Sequence, residues 1–256
     1  MLLAIDVGNT QTVYGFWSRG AWRLTLRRET HVEETEDEIA AWLWACLRAK
    51  ALEPAVTSIV CASVVPAMER TVTLLAAKWF KLEPTFVTAS SPLGIQVCYE
   101  PPSAVGADRI CNALGALAKY KPPIIVVDFG TATTFDVIDA DGHYAGGAIL
   151  PGLMISARAL ATSTAKLPSI AYKAPERAIG RNTVESIQSG LMLGYAGAID
   201  SLAARIGGEL KGDATVIATG GLSEMFMGLA KSIQHLEPDL TLDGLRMAHQ
   251  KITKKK

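Results

Sequence analysis

The chain has 256 residues, enough for one large domain or two small ones around a buried core. Its 25 Lys and Arg balance 25 Asp and Glu, which leaves no basic field of the kind that holds nucleic acid. The uncharged stretch of residues 186–199 is too short to cross a bilayer, and no basic segment of the signal-peptide type opens the chain, so a soluble cytoplasmic protein is expected. Mean hydropathy is +0.23, high for a monomer of this size, and points to a buried subunit interface. Cys46, Cys61, Cys98 and Cys111 lack Cys-x-x-Cys spacing and read as small buried hydrophobes in a reducing compartment. His31, His143, His235 and His249 have no ligand spacing and read as surface or loop residues; the Lys254-Lys255-Lys256 run reads as a solvated terminus.

The first half opens with strands over residues 2–6, 12–18 and 21–28, with Arg19-Gly20 as a tight turn. Thr35-Glu36-Asp37-Glu38 is a capping box, and Ile39, Trp42, Leu43, Cys46 and Leu47 form the apolar face of the helix it begins. A strand over 58–64, a helix over 67–79 begun by Pro66, a strand over 85–88 and a helix over 105–120 follow. The second half repeats the order. Strands are expected over 124–128, 133–138 and 144–150 with a turn at Asp141-Gly142, then helices over 153–161 and 183–207. A strand over 215–218, a Gly220-Gly221 turn and a helix over 223–232 complete it. A β-β-β-α-β-α order run twice matches the ribonuclease-H-like lobe of the actin, hexokinase and Hsp70 superfamily. The expected architecture is therefore α/β, with lobes at 1–121 and 122–256 and an ATP cleft between them.

The repeat extends to the chemistry. Leu2-Leu3-Ala4-Ile5-Asp6-Val7-Gly8-Asn9-Thr10 and Ile124-Ile125-Val126-Val127-Asp128-Phe129-Gly130-Thr131 are each an apolar run, an Asp, one apolar residue and a Gly. Such a run is a buried strand, and the Gly allows a turn whose backbone N–H groups face a phosphate. The Asp can hold a cation or a metal-bound water against that phosphate. No Gly-x-x-x-x-Gly-Lys-Ser/Thr and no kinase glycine-rich loop occurs, so no loop lysine neutralises the phosphates and cations must do more of that work.

Further segments admit two readings. Gly106-Ala107-Asp108-Arg109 opens a helix, where N–H groups bind anions and Arg can pair a carboxylate, or where Asp merely caps and Arg is solvated. Gly146-Gly147 and Pro151-Gly152 bracket a strand as a hinge or close approach would require. Gly180-Arg181-Asn182-Thr183 precedes a helix that Thr183 could cap. Thr219-Gly220-Gly221 could lie against a purine or simply turn. Gly190, Gly194 and Gly197, with Ala198 beside them, share a helix face that suits a dimer interface; a buried intrachain helix is the alternative.

Together these segments resemble the type III pantothenate kinase family, from residue 1 to about residue 245 and in the family's order. The resemblance implies transfer of the γ-phosphate of ATP to the terminal hydroxyl of pantothenate, the first step of coenzyme A synthesis. It implies a phosphate loop formed by Asp6, Val7, Gly8, Asn9, Thr10, Gln11, Thr12 and Val13, with Thr131 touching ATP from the other lobe. Asp108 would be the general base. Tyr99, Gly106, Ala107, Asp108, Arg109 and Thr183 would hold pantothenate, with Arg109 meeting its carboxylate. Asp128 would bind a monovalent cation, K+ or NH4+, beside the Mg2+ that accompanies ATP. The family is a homodimer. Two other readings keep the fold: a kinase for another acceptor, such as a sugar or acetate, and a nucleotide-dependent regulatory or accessory protein. Tyr99 and the Gly-Ala-Asp-Arg segment argue against the first; Asp6, Asp108 and Asp128 together argue against the second.

Overall fold

A computed structural model describes residues 1–53, 55–163, 168 and 170–254. In chain order the elements are β1 (Leu2–Val7), β2 (Gln11–Ser18), β3 (Ala21–Glu29), α1 (Glu36–Ala49), β4 (Ser58–Ser63), α2 (Pro66–Leu75), β5 (Pro84–Phe86) and α3 (Ala107–Lys119). They continue as β6 (Ile124–Phe129), β7 (Ala132–Ile138), β8 (Tyr144–Pro151), α4 (Leu153–Ser163), α5 (Thr183–Gln188), α6 (Gly194–Glu209), β9 (Thr215–Thr219), α7 (Ser223–Phe226), β10 (His235–Leu236) and α8 (Leu240–Thr253). The chain forms two compact units. The first holds Met1–Gly94, Glu100–Gly115 and the segment from Thr241 onward; the second holds Ile95–Tyr99 and Ala116–Leu240.

Each unit contains a five-stranded sheet, and the two sheets have one plan. The first runs β3-β2-β1-β4-β5 and the second β8-β7-β6-β9-β10, so each opens with an antiparallel meander and ends with two parallel strands. The central strands β1 and β6 share one burial pattern: all residues are buried except the Asp next to the last. A strand covered on both faces needs this near-continuous apolar run. The twofold β-β-β-α-β-α order expected from the sequence is present.

In the first unit α1 and α2 lay Ile39, Leu43, Leu47, Met68, Val72 and Leu75 on Leu3, Ile5, Phe16 and Ile59 of the sheet. The capping box at Thr35 is formed in full. Trp42 meets Tyr14 edge-on at 5.5 Å, and the Arg28 guanidinium lies 4.7 Å from its ring. Arg19 and Gly20 both have positive φ, as a two-residue turn twisted to match its strands requires. In the second unit Ile125, Val127, Phe129, Phe135 and Val216 pack with Leu153, Ile187, Met192, Ile199 and Phe226.

Several boundaries differ from expectation for local reasons. Residues 67–79 form α2 followed by a π turn over Ala76–Phe80, and residues 183–207 are α5 and α6 joined by a second π turn, Ser189–Leu193. The helix expected over 223–232 stops at Phe226. Gly228 takes a left-handed conformation, and the N–H groups of Lys231 and Ser232 go to the Asp200 carboxylate at 3.1 and 2.8 Å instead of to a helix. Gly146 and Gly147 lie inside β8 and do not bracket it. Cys61 and Cys111 are buried as expected, Cys46 is half-buried and Cys98 is exposed. His249 is neither loop nor surface: it sits on α8 with Nδ1 buried and lacking a hydrogen-bond partner, and burial lowers its pKa. Lys255 and Lys256 of the basic run lie outside the described residues. No helix among the described residues is long and apolar enough to cross a membrane.

The helix α8 has no counterpart among the elements expected from the sequence. Trp22 Nε1 donates to Asp243 at 2.9 Å, the Arg246 guanidinium lies 4.5 Å from the Trp17 ring, and the Thr241 hydroxyl donates to Asn112 Oδ1 at 2.7 Å. These contacts lay α8 over β2, β3 and α3. A Cβ on Gly244 would stand 1.8 Å from the Cys111 carbonyl oxygen, so only glycine lets the α8 backbone approach α3 here. Gly244→Ala must push the two helices apart. It should cost on the order of 1–3 kcal/mol, the usual penalty for overpacking, and lower the urea midpoint at unchanged slope. A midpoint equal to that of the parent would show that the contact is not limiting.

Candidate active site

In the first unit, β1 delivers the half-buried Asp6 to the start of a three-residue turn, Gly8-Asn9-Thr10, before β2 begins. The turn is closed by the Gly8 N–H donating to the Gln11 carbonyl at 3.0 Å. Asn9, Thr10 and Gln11 are exposed while Thr12 is buried, so the turn presents its tip and anchors its far end.

The helix α3 begins at Ala107, which places Asp108 in its first turn. The Asp108 carboxylate folds back on its own helix start and accepts the Arg109 N–H at 2.8 Å. It lies so close to residue 106 that a Cβ there would be 2.4 Å from Asp108 Oδ1. Burial raises its pKa, and the N–H and charge of Arg109 oppose that shift. Arg109 itself is buried. Burial, reinforced by the charges of Asp6 and then Asp108, pushes the Cys111 thiol well above its usual range. The Val64 N–H donates to the Val7 carbonyl at 3.0 Å, and a Cβ on Gly106 would be 3.6 Å from the Val64 side chain, so the end of β1 that carries Asp6 and the helix start that carries Asp108 meet on one residue.

The second unit repeats the turn with one residue fewer. Only Gly130 and Thr131 separate β6 from β7, and the Gly130 N–H donates to the Ala132 carbonyl at 3.1 Å. Asp128 is half-buried at the end of β6, as Asp6 is in β1. Its neighbour is the Gly220 turn after β9, where a Cβ would be 2.4 Å from Asp128 Oδ1. Gly220 has φ +89, and its carbonyl accepts the Ser223 hydroxyl at 2.7 Å. A carboxylate cradled by backbone that no side chain can enter is a hard-oxygen environment, and it fits K+ or NH4+ chemically.

Tyr99 belongs to the second unit. The preceding residues pair with the start of β8, through the Tyr144 N–H to the Gln96 carbonyl at 2.9 Å and the Cys98 N–H to the Tyr144 carbonyl at 2.8 Å. A Cβ on Gly146 would be 3.4 Å from the Tyr99 ring. Thr183 is not the cap that the sequence allowed. Asn182 Oδ1 accepts the Glu185 N–H at 2.9 Å, while Glu185 accepts the Arg181 N–H and the Asn182 amide. Thr183 is left exposed, on an open groove with Leu160, Ser186, Ile187, Gly190 and Leu191. One group shows only in the structure: the Tyr195 hydroxyl ties the Pro151 carbonyl to Thr133 Oγ1, the latter at 2.9 Å. Its only sequence signal is a lone tyrosine in a glycine-rich helix.

The raised Asp108 pKa has a stability consequence. A carboxyl whose folded pKa stands above its unfolded value binds its proton more tightly in the native state, so stability falls as pH rises through that window. Asp108→Asn removes the loss. Urea denaturation should find this variant more stable than the parent at pH 7, with the gap closing below the ordinary Asp range of about 3.9. A less stable variant at pH 7 would mean that Asp108 serves the fold.

The family model described as type III pantothenate kinase matches residues 2–205. Curated proteins named type III pantothenate kinase match almost end to end. That of Anaeromyxobacter dehalogenans is 45% identical over 98% of this chain and 99% of its own, and that of Thermomicrobium roseum is 44% identical over 98% of each. Among solved structures, a Campylobacter jejuni protein assigned to the Baf family of transcriptional activators superposes with a TM-score of 0.62 at 15% identity, covering 98% of this chain and 99% of that one. The activator of 2-hydroxyisocaproyl-CoA dehydratase from Clostridium difficile, solved with ADPNP, superposes at 0.59 and 11% identity over 99% of this chain and 96% of that one. These superpositions agree with the twofold α/β fold expected from the sequence, and the sequence relatives carry the assignment further: the chain belongs to the type III pantothenate kinase family.

Proposed function

We propose that this protein phosphorylates pantothenate with ATP to give 4′-phosphopantothenate, the first step of coenzyme A synthesis, in the cytoplasm. Beside the family membership, the observation that supports it most is the meeting at Val64 of the β1 end that carries Asp6 and the helix start that carries Asp108. A phosphate-loop carboxylate beside a buried carboxylate at a helix start suits alcohol phosphorylation. Residues Asp6 to Val13 hold the phosphates of ATP, and Thr131 also contacts ATP. Tyr99, Gly106, Ala107, Arg109 and Thr183 hold pantothenate. The pantothenate hydroxyl oxygen bonds to the γ-phosphorus as the bond to the ADP oxygen breaks, and Asp108 takes the hydroxyl proton. The surroundings of Asp108 suit a proton acceptor, since burial raises its proton affinity while the Arg109 N–H and charge keep the ionised form accessible. Mg2+ with ATP, and K+ or NH4+ at Asp128, would offset phosphate charge that no loop lysine balances.

The direct test is ADP release with ATP, magnesium and pantothenate. It should require pantothenate, and Asp108→Asn should lower turnover by about 10²–10⁴-fold, the usual worth of a general base. Activity without pantothenate, or an Asp108→Asn enzyme retaining about a tenth of wild-type turnover, would overturn the assignment. Potassium or ammonium should raise the rate strongly over sodium at matched ionic strength, and Asp128→Ala should lose that response; equal rates in the three salts would remove the cation site.

We also infer a homodimer formed through the second unit. Ile149, Met154, Ile155, Leu160, Ile179 and Val184 are large apolar side chains exposed there. Such a collection on one unit is more than scattered surface apolarity. Gly190, Gly194 and Gly197 are exposed, and a Cβ on any of them would meet nothing within 4 Å in the chain. Gly194→Leu should therefore fold normally as a monomer but not pair. Light scattering should show a shift toward monomer; a folded variant that stays dimeric would move the interface elsewhere.

A further inference from the structure

Three positions of the first loop converge on Thr30, the residue that follows β3. Its N–H donates to the Thr10 carbonyl at 2.9 Å, and its hydroxyl donates to the Gly8 carbonyl at 2.7 Å. The buried Thr12 hydroxyl lies 2.9 Å from Thr30 Oγ1. With the Thr30 proton on Gly8, Thr12 must donate to Thr30, and the hydroxyls form a directed chain from Thr12 through Thr30 to the Gly8 carbonyl.

The second unit has the same strut without the hydroxyl. Gly152 follows β8 as Thr30 follows β3, and its N–H donates to the Thr131 carbonyl at 3.1 Å. Thr131 and Thr10 are each the last residue before the second strand of their sheet. No side chain can sit at residue 152, where a Cβ would be 2.1 Å from the Thr131 carbonyl oxygen. The backbone strut is therefore shared, and the hydroxyl tie belongs to the first loop alone, which is the longer by one residue.

The tie fixes a peptide plane. In a planar trans peptide the carbonyl and the following N–H point in opposite directions. Drawing the Gly8 carbonyl onto Thr30 therefore turns the Asn9 N–H to the opposite side of the loop. We propose that Thr30 is a positioning residue for the phosphate loop, setting the direction of the Asn9 amide that meets an ATP phosphate. The proposal rests on residues 6–13 being the ATP loop.

Thr30→Val keeps the side-chain shape and the N–H strut but removes the hydroxyl, and Thr30→Ser restores it. ADP release would be measured with each substrate varied in turn, alongside ADP titration by calorimetry and the thermal midpoint. Thr30→Val should raise KM for ATP and weaken ADP binding about five- to tenfold, the worth of one hydrogen bond, while KM for pantothenate moves less than about twofold. Thr30→Ser should return all values to within about twofold of wild type. A Thr30→Val enzyme with wild-type KM for ATP overturns the proposal. So does one that does not fold, or whose KM values for both substrates rise together, since either result makes Thr30 structural only. A wild-type protein that neither turns over nor binds ADP would instead remove the ATP-loop reading, and this proposal with it.

Discussion

The carboxylates at the candidate site are held by backbone that runs where a Cβ would have to be. Asp108 Oδ1 and Asp128 Oδ1 each stand 2.4 Å from the place a side chain would begin, at residues 106 and 220. Contact this close fixes a carboxylate by shape and leaves its charge available for other work. It also excludes water from one side, which is why Asp108 holds its proton more tightly than an exposed Asp. The remaining requirements follow from this: strands buried to the last residue but one, turns of two or three residues, and a helix that starts within a residue of its functional side chain.

The two units share a plan but divide the demands. The first concentrates titratable groups: burial, then the Asp6 charge, raises the pKa of both buried thiols, and Asp108 adds to the shift of Cys111. The second keeps the same turn at Asp128 but carries the exposed apolar side chains of β8, α4 and α5. Exposed large apolar side chains are more numerous there than in the first unit, where Val32, Leu74 and Trp79 are exposed, and one of them, Leu160, shares a groove with Gly190. Common topology does not force common surfaces, because strand pairing depends on the backbone and on inward-facing residues while outward residues are free to diverge.

Much of this was legible in the sequence because the deciding signals are local. Asp6 and Asp128 end apolar runs, Arg19-Gly20 and Asp141-Gly142 are turn pairs, and Thr35 with Glu38 is a cap that needs only its own four residues. What failed to show depends on distant partners. Asp200 withdraws the N–H groups of Lys231 and Ser232 from a helix that the local pattern favours. The cap at Asn182, not Thr183, is decided by which side chain meets the Glu185 N–H. The hydroxyls of Thr30 and Tyr195 gain meaning only from carbonyls far along the chain, and no spacing rule encodes those. The π turns at Ala76–Phe80 and Ser189–Leu193 preserve helical periodicity well enough to hide in it.

The grouping of α8 with the first unit has a consequence for the order in which the protein is made. The contacts of Trp22 with Asp243, Trp17 with Arg246 and Cys111 with Gly244 all join early residues to a helix that follows the whole of the second unit in sequence. A ribosome delivers the chain from its amino end, and domains generally fold as they emerge. The second unit can therefore close once Leu240 has emerged, whereas the first must wait with Trp17 and Trp22 of β2 and β3 lacking their α8 partners until that helix arrives. The half of the protein that is synthesised first is the half that is completed last.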